Sequence, residues 1–239
     1  MKNKINFWVN ELEVGYYEKI LSEGLLKKSG IQSNWHNLTF LRVKKYLKKG
    51  IQHLDYACGP GSLIGLYSES ISVGYDIAYE QISYANRKFK TNEKCFTSNK
   101  VDILKNDYYD VITINGLFEY LNNEEILNLL NVFHKILKEN GKILITTPNY
   151  SGIFKFIEIL GQIISGVKYS NVNINKFTKK RAISLIKKSE YKKYQVMKFM
   201  NIGVFFSFIS HDLGNKVEKS IEKLFRNSIG MLLFIEIQK

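Results

Sequence analysis

The sequence predicts an α/β fold, a mostly parallel sheet with helices on both faces, and three observations predict it. Apolar runs of strand length alternate with stretches of three- and four-residue periodicity along much of the 239-residue chain. The first run, Ile51 to Leu54, leads directly into a glycine corner, Asp55-Tyr56-Ala57-Cys58-Gly59-Pro60-Gly61. The second, Ile71 to Tyr75, ends on the acid Asp76. Open α/β sheets bind ligands at the carboxyl ends of their strands, so corner and acid together mark a site for a nucleoside-bearing ligand. Gly59 and Gly61 tolerate positive φ and carry no Cβ, which lets a ligand lie against bare backbone.

Residues 1–50 read as a helical cap. Trp8, Leu12, Ile20, Leu21, Leu25 and Leu26 fall near helical spacing, and Phe40, Val43, Tyr46 and Leu47 do so again. Ser29 to His36, rich in small polar residues, reads as the loop between them. Beyond the corner, residues 79–89 form a helix with Ile82, Ala85 and Phe89 inward, and Cys95 to Thr97 a third strand. Tyr109 to Asn115 is apolar enough for a parallel strand buried on both faces. Asn122 or Asn123 caps the next helix, in which Ile126, Leu129, Leu130, Phe133, Ile136 and Leu137 line one side and Gly141 ends it. Lys142 to Asn149 is the fifth strand. Residues 151–177 interrupt the rhythm with an apolar stripe too short to span a bilayer, read as a lid over an apolar site or as a peripheral membrane contact through 151–167. Thr178 opens another helix, Tyr194 to Met200 is the sixth strand, Val217 to Phe225 the last helix, and Met231 to Ile237 the closing strand. Residues 51–239 thus form one domain carrying an insertion.

Composition narrows the class. A hydrophobic content of 45% with 24% charged residues is that of a soluble globular protein. Cys58 and Cys95 are the only cysteines, which excludes a disulfide framework; with no charged-then-apolar leader, a cytoplasmic location is expected. The net charge of +13 invites nucleic acid, yet it is nearly all lysine in scattered pairs, with arginine only at 42, 87, 181 and 226. Nucleic acid is therefore not the expected partner, and no metal is expected.

Spacing separates the possible ligands. A dinucleotide fingerprint needs a third glycine where Ile64 stands, and no Gly-Lys-Ser/Thr occurs to close a P-loop. What remains, D-x-A-C-G-x-G with Asp76 closing the next strand, resembles the first two motifs of the class I S-adenosylmethionine-dependent methyltransferases. Gly116-Leu117-Phe118-Glu119-Tyr120-Leu121 resembles their post-strand motif, with Tyr120 where histidine is frequent, and LKENGKILITTPN over 137–149 their last common motif.

The resemblance implies a Rossmann-like methyltransferase fold of seven strands, the last antiparallel and inserted between the fifth and sixth. It implies S-adenosylmethionine as cofactor, with Asp55 and the turn Cys58, Gly59 and Gly61 at its methionine end. Asp76 would hold the ribose and Ile77 pack on the adenine. Asp102 would accept the adenine amino group beside the backbone of Val101, with Asp107 and Asp110 as nearby alternatives. Asn115 and Gly116 would lie under the sulfonium. The expected acceptor is a small or lipid-linked molecule methylated on oxygen; RNA, protein, or a non-catalytic adenosyl-binding role are the alternatives. A hydroxyl acceptor calls for a base, and His36, His211, Glu119 and Tyr120 are the candidates. His53, at the start of the first strand, reads as structural.

Overall fold

The computed structural model describes residues 12–151, 175–226 and 228–239. Strands β1 (Gln52–Tyr56), β2 (Ile71–Tyr75), β3 (Lys94–Thr97), β4 (Tyr109–Asn115), β5 (Leu137–Pro148), β6 (Lys193–Phe199) and β7 (Leu232–Gln238) form one sheet in the order β3-β2-β1-β4-β5-β7-β6. Strands β1 to β5 are parallel, and β7 lies antiparallel between β5 and β6, as the resemblance implied. The strand order reverses between β1 and β4, which opens a crevice at their carboxyl ends.

The described helices are α1 (Tyr16–Lys27), α2 (Ile31–Lys44), α3 (Ser62–Tyr67), α4 (Tyr79–Phe89), α5 (Asn123–Ile136), α6 (Lys179–Ile186) and α7 (His211–Phe225). Helices α5 and α6 bury Ile126, Leu130, Phe133, Ala182 and Leu185 against Leu54, Ile112, Ile114, Ile143 and Ile145 of one sheet face. The other face, through Val111, Leu144 and Phe234, meets Leu21, Val43 and Leu63 of α1, α2 and α3. Alternation along each strand produces both cores, because successive side chains point to opposite faces. Asn122 caps α5 in a reciprocal box, its side chain accepting from the Glu125 amide and the Glu125 carboxylate accepting from the Asn122 amide.

Three expectations are corrected. The loop expected over 29–36 is only a break at Ser29-Gly30, since α2 already runs from Ile31. Its polar residues face inward: Asn34 Nδ2 donates to Ser207 Oγ at 2.7 Å and Asn215 Oδ1 at 2.9 Å, and Tyr67 donates to Asn37 Oδ1 at 2.9 Å. A buried hydrogen-bonded seam has the same composition as a loop. Second, α5 stops at Ile136, not at Gly141. Leu137 pairs with Tyr109, and the register shifts before Lys142 meets Val111, with Asn140 at φ +63 in the intervening bulge. Third, the last helix, expected over Val217 to Phe225, already begins at His211, with Ser210 accepting from the Leu213 amide.

Helix α1 is fastened to α4, the helix that follows Asp76. Glu18, fully buried, accepts from Lys88 Nζ at 2.6 Å, from the Tyr84 hydroxyl at 2.5 Å and from Ser22. The Gly15 amide donates to Gln81 Oε1 at 3.0 Å. Burial pulls the Glu18 pKa up, but the bonds from Lys88, Ser22 and Tyr84 outweigh it and the net shift is downward. Its contribution to stability is therefore present above the ordinary carboxylate pKa and is lost as pH falls through the lowered folded value. Glu18→Gln is expected to cost about 1–3 kcal/mol at pH 7, the Lys88 end being partly solvated, and the deficit should shrink in urea titrations near pH 3.

Of the 151–177 insertion only Ser151 and residues 175–177 are described, so the lid and the membrane contact through 151–167 lie essentially outside the described residues. Among those described, no helix is long and apolar enough to cross a membrane.

Candidate functional site

The parallel strands bring the glycine corner, Asp76, Asn115 and Gly116 to one edge of the sheet. The corner is held by short bonds. The Cys58 amide donates to the Tyr75 carbonyl at 3.0 Å and the Gly61 amide to the Cys58 carbonyl at 3.0 Å. Asp76 takes the Gly59 amide at 2.9 Å on one carboxylate oxygen and the Ala78 amide at 2.9 Å on the other. Its carboxylate thus faces the corner, with lone pairs on both oxygens left for further donors. Burial raises its pKa against these bonds.

The two glycines have different tasks. A Cβ on Gly59 would meet nothing within 4 Å, so its backbone borders open space. A Cβ on Gly61 would lie 2.6 Å from the Phe96 ring and 2.9 Å from Ala85 Cβ, so this glycine serves close packing rather than a ligand. Cys58 likewise turns its thiol inward toward Gly74. Ala57 sits at φ +63, in the left-handed region that glycine occupies without strain.

Beside the corner lies a cavity of about 390 Å³ lined by Ala57, Asp76, Ile77, Lys100, Leu117 and α5 residues among others. Its walls are mostly apolar, with Asp76 among them, which suits a purine nucleoside: an aromatic base among aliphatic side chains and a ribose at the carboxylate. Ile77, half exposed, lines it. Asp102 and Val101 do not. The Asp102 carboxylate accepts from Thr97 Oγ1 at 2.6 Å and Asn99 Nδ2 at 3.1 Å, and the Val101 amide donates to Asn99 Oδ1 at 3.2 Å. Lys100, from the same short turn, reaches the cavity instead. The alternatives are engaged elsewhere, Asp110 with Lys138 and Asp107 with Lys239.

On the opposite face of β1 stands Asp55, buried, accepting from Thr113 Oγ1 at 2.7 Å. Burial pushes its pKa up to about 7, against the Thr113 bond, with the neighbouring Asp76 adding to the rise. Two more polar groups on flanking elements are buried with no partner, Ser62 Oγ at the start of α3 and Asn115 Nδ2 at the end of β4. Asn115 Oδ1 accepts from Thr146. Orphaned buried polar atoms cost about 1–3 kcal/mol each unless a ligand satisfies them. A buried carboxyl and orphaned polar atoms near a nucleoside-sized cavity fit S-adenosylmethionine, an amino acid joined to an adenosine.

The base candidates separate. Glu119, in a 3₁₀ turn over Phe118–Tyr120, is buried and accepts from Thr147 Oγ1 at 3.0 Å. A Cβ on Gly116 would lie 3.6 Å from Glu119 Oε1, which puts this carboxyl at the end of β4. Burial pushes its pKa up to about 7. Tyr120 is buried in the same turn. His36 packs its ring against Tyr17 and Phe40 on α2, and burial pushes its pKa down to about 4. His211 joins the Ser29-Gly30 break to α7, with Nε2 2.9 Å from Ser33 Oγ and 3.2 Å from the Gly30 carbonyl. His53, read as structural, bridges β1 to both neighbouring strands through its ring and shares a sheet face with Asp55 two residues away. Among the described residues no cluster could hold a metal ion.

A solved methyltransferase of Archaeoglobus fulgidus, described as S-adenosylmethionine-dependent, superposes with a TM-score of 0.58 at 19% identity, covering 85% of this chain and 94% of that one. A Thermotoga maritima structure described as a possible histamine N-methyltransferase gives a TM-score of 0.61 at 15% identity over 100% of both chains. An uncharacterised protein of Methanocaldococcus jannaschii is 24% identical over 203 residues, 83% of this chain and 84% of that protein. At these identities the structures establish a shared fold. The methyltransferase-domain family model matches residues 31–219, from α2 into α7, and the chain belongs to that family.

Proposed function

We propose that this methyltransferase takes its methyl group from S-adenosylmethionine and delivers it to an oxygen of a small or lipid-linked acceptor, with Glu119 as the base. The sulfonium donor supplies an electrophilic methyl carbon and a neutral leaving group. What the chain contributes is alignment, exclusion of water and, for a hydroxyl acceptor, a place for the proton. Asp76 and Ile77 hold the nucleoside, Asp55 and the corner hold the amino-acid end, and Asn115 offers its unpartnered Nδ2 at the end of β4.

The observation that carries the oxygen reading is Glu119. A carboxyl buried at the end of β4 with its pKa raised to about 7 is half ionised at neutral pH and able to accept a proton from an acceptor hydroxyl. His36 and His211 lack that combination: one is enclosed by aromatic rings and the other bonded to the α1–α2 break. The test is a transfer assay with methyl-labelled donor against fractionated small-molecule and lipid extracts. Label in a base-stable ether or a base-labile ester supports the reading; label only on nitrogen, or only in RNA or protein, overturns it.

A further inference from the structure

We propose that His53 is a positioning residue for donor binding, fixing through Thr113 the hydrogen bond that keeps the Asp55 carboxylate ionised and aimed at the donor's ammonium group. The inference rests on the S-adenosylmethionine reading and goes beyond it, to a residue two positions upstream of the glycine corner.

The geometry is a ladder across three strands on one face of the sheet. His53 and Asp55 alternate on β1, Thr113 of β4 pairs with Asp55, and Ser72 of β2 pairs with His53. His53 Nε2 lies 2.8 Å from Thr113 Oγ1, which is 2.7 Å from Asp55 Oδ1; on the other side His53 Nδ1 lies 3.1 Å from Ser72 Oγ. Ser68 and Ser70 continue the chain at 2.9 and 3.2 Å from Ser72. All six side chains are buried.

A threonine hydroxyl has one proton. When Asp55 is ionised that proton points at the carboxylate, so the contact with His53 requires a proton on Nε2, and Nδ1 then accepts from Ser72. When Asp55 is protonated it donates to Thr113, whose own proton turns to His53 Nε2; the imidazole must then carry its proton on Nδ1, facing Ser72, whose hydroxyl has the Ser70 carbonyl 3.1 Å away as acceptor. The tautomer of His53 and the ionisation of Asp55 are therefore tied together. Burial pushes the His53 pKa down to about 3, so the ring works as a neutral relay of hydrogen-bond direction and adds no charge. The groups facing Asp55 are Thr113 on β4, Asp76 at the end of β2 and Cys58 in the corner; Asp76 opposes its ionisation, Thr113 favours it, and the Cys58 thiol, pushed up by burial and by both carboxylates, stays neutral. Without the Nε2 donor nothing fixes the Thr113 proton on Asp55, and the carboxyl keeps its own proton to a higher pH.

The experiment is the pH dependence of S-adenosylhomocysteine affinity by calorimetry from pH 6 to 9, in the unmodified protein, His53→Leu, Thr113→Val, the double variant and His53→Gln. The unmodified protein should gain affinity as pH rises through about 7. His53→Leu and Thr113→Val should each move that midpoint up by about one unit, which is about a fivefold loss at pH 7, approaching tenfold at pH 6 and vanishing near pH 9. The double variant should lose no more than either single one, and His53→Gln, which restores an N–H donor, should recover most of the effect. A loss uniform across pH, or an unmoved midpoint, overturns the proposal. Nitrogen NMR of the imidazole in the unmodified protein needs no variant: the Nε2–H tautomer is expected at pH 9, and Nδ1–H there overturns it. Absence of ligand binding by the unmodified protein at every pH would instead refute the donor reading.

Discussion

Asp76→Ala is expected to weaken S-adenosylhomocysteine binding at least a hundredfold in calorimetry. Two losses combine. In the proposed complex the carboxylate at the end of β2 would take a ribose hydroxyl on each oxygen, and charge-assisted bonds of this kind contribute about 1.5–3 kcal/mol each. The same carboxylate holds the Gly59 and Ala78 amides at 2.9 Å, so its removal also frees the corner that frames the cavity. A combined loss of roughly 3–4 kcal/mol corresponds to a factor of several hundred in affinity. Asp102→Ala, by contrast, should change affinity less than threefold, since that carboxylate is bonded to Thr97 and Asn99 outside the cavity lining. Equal losses in the two variants would show that the ligand lies across β3 as well as β2.

Glu119→Gln should lower kcat by about a hundredfold to a thousandfold while leaving S-adenosylhomocysteine affinity within a factor of three. With its pKa raised to about 7, Glu119 is the group whose ionisation should shape the rising limb of the pH–rate profile, and that limb should vanish in the glutamine variant. Stability should move the other way. The folded state holds the Glu119 proton to about pH 7, whereas the unfolded chain releases it near the ordinary carboxylate value. Ionisation therefore opposes folding increasingly as pH rises from about 4.5 through 7. Glutamine removes that opposition and still accepts from Thr147, so the variant should melt higher at pH 8. A variant both slower and less stable would make Glu119 a packing element.

Much of the fold was legible because its signals are local. Three apolar runs ending in a corner, an acid and an asparagine gave the strands that carry the site, and the Asn122-Asn123 pair before an amphipathic stretch gave the start of α5. The errors share a cause, for composition does not say which polar residues are buried. Ser33 and Asn34 read as loop because their partners, Ser207, Asn215 and His211, lie far along the chain. Asp102 took its adenine role from the resemblance alone, and spacing does not reveal the turn through which Thr97 and Asn99 reach its carboxylate. Glu119 could not be ranked above the histidines from sequence, since burial at the end of β4 is what raises its pKa.

An alanine at φ +63 has one more consequence. Ala57 is kept in a disfavoured conformation by its neighbours, chiefly the Cys58 bond to Tyr75 and the Gly59 bond to Asp76, so the corner is a loaded spring whose catch is Asp76 itself. Anything that tightens or slackens that carboxylate is expected to register in the solvent exchange of the Gly59 amide proton it holds. The corner therefore carries its own occupancy gauge, readable without knowing the acceptor.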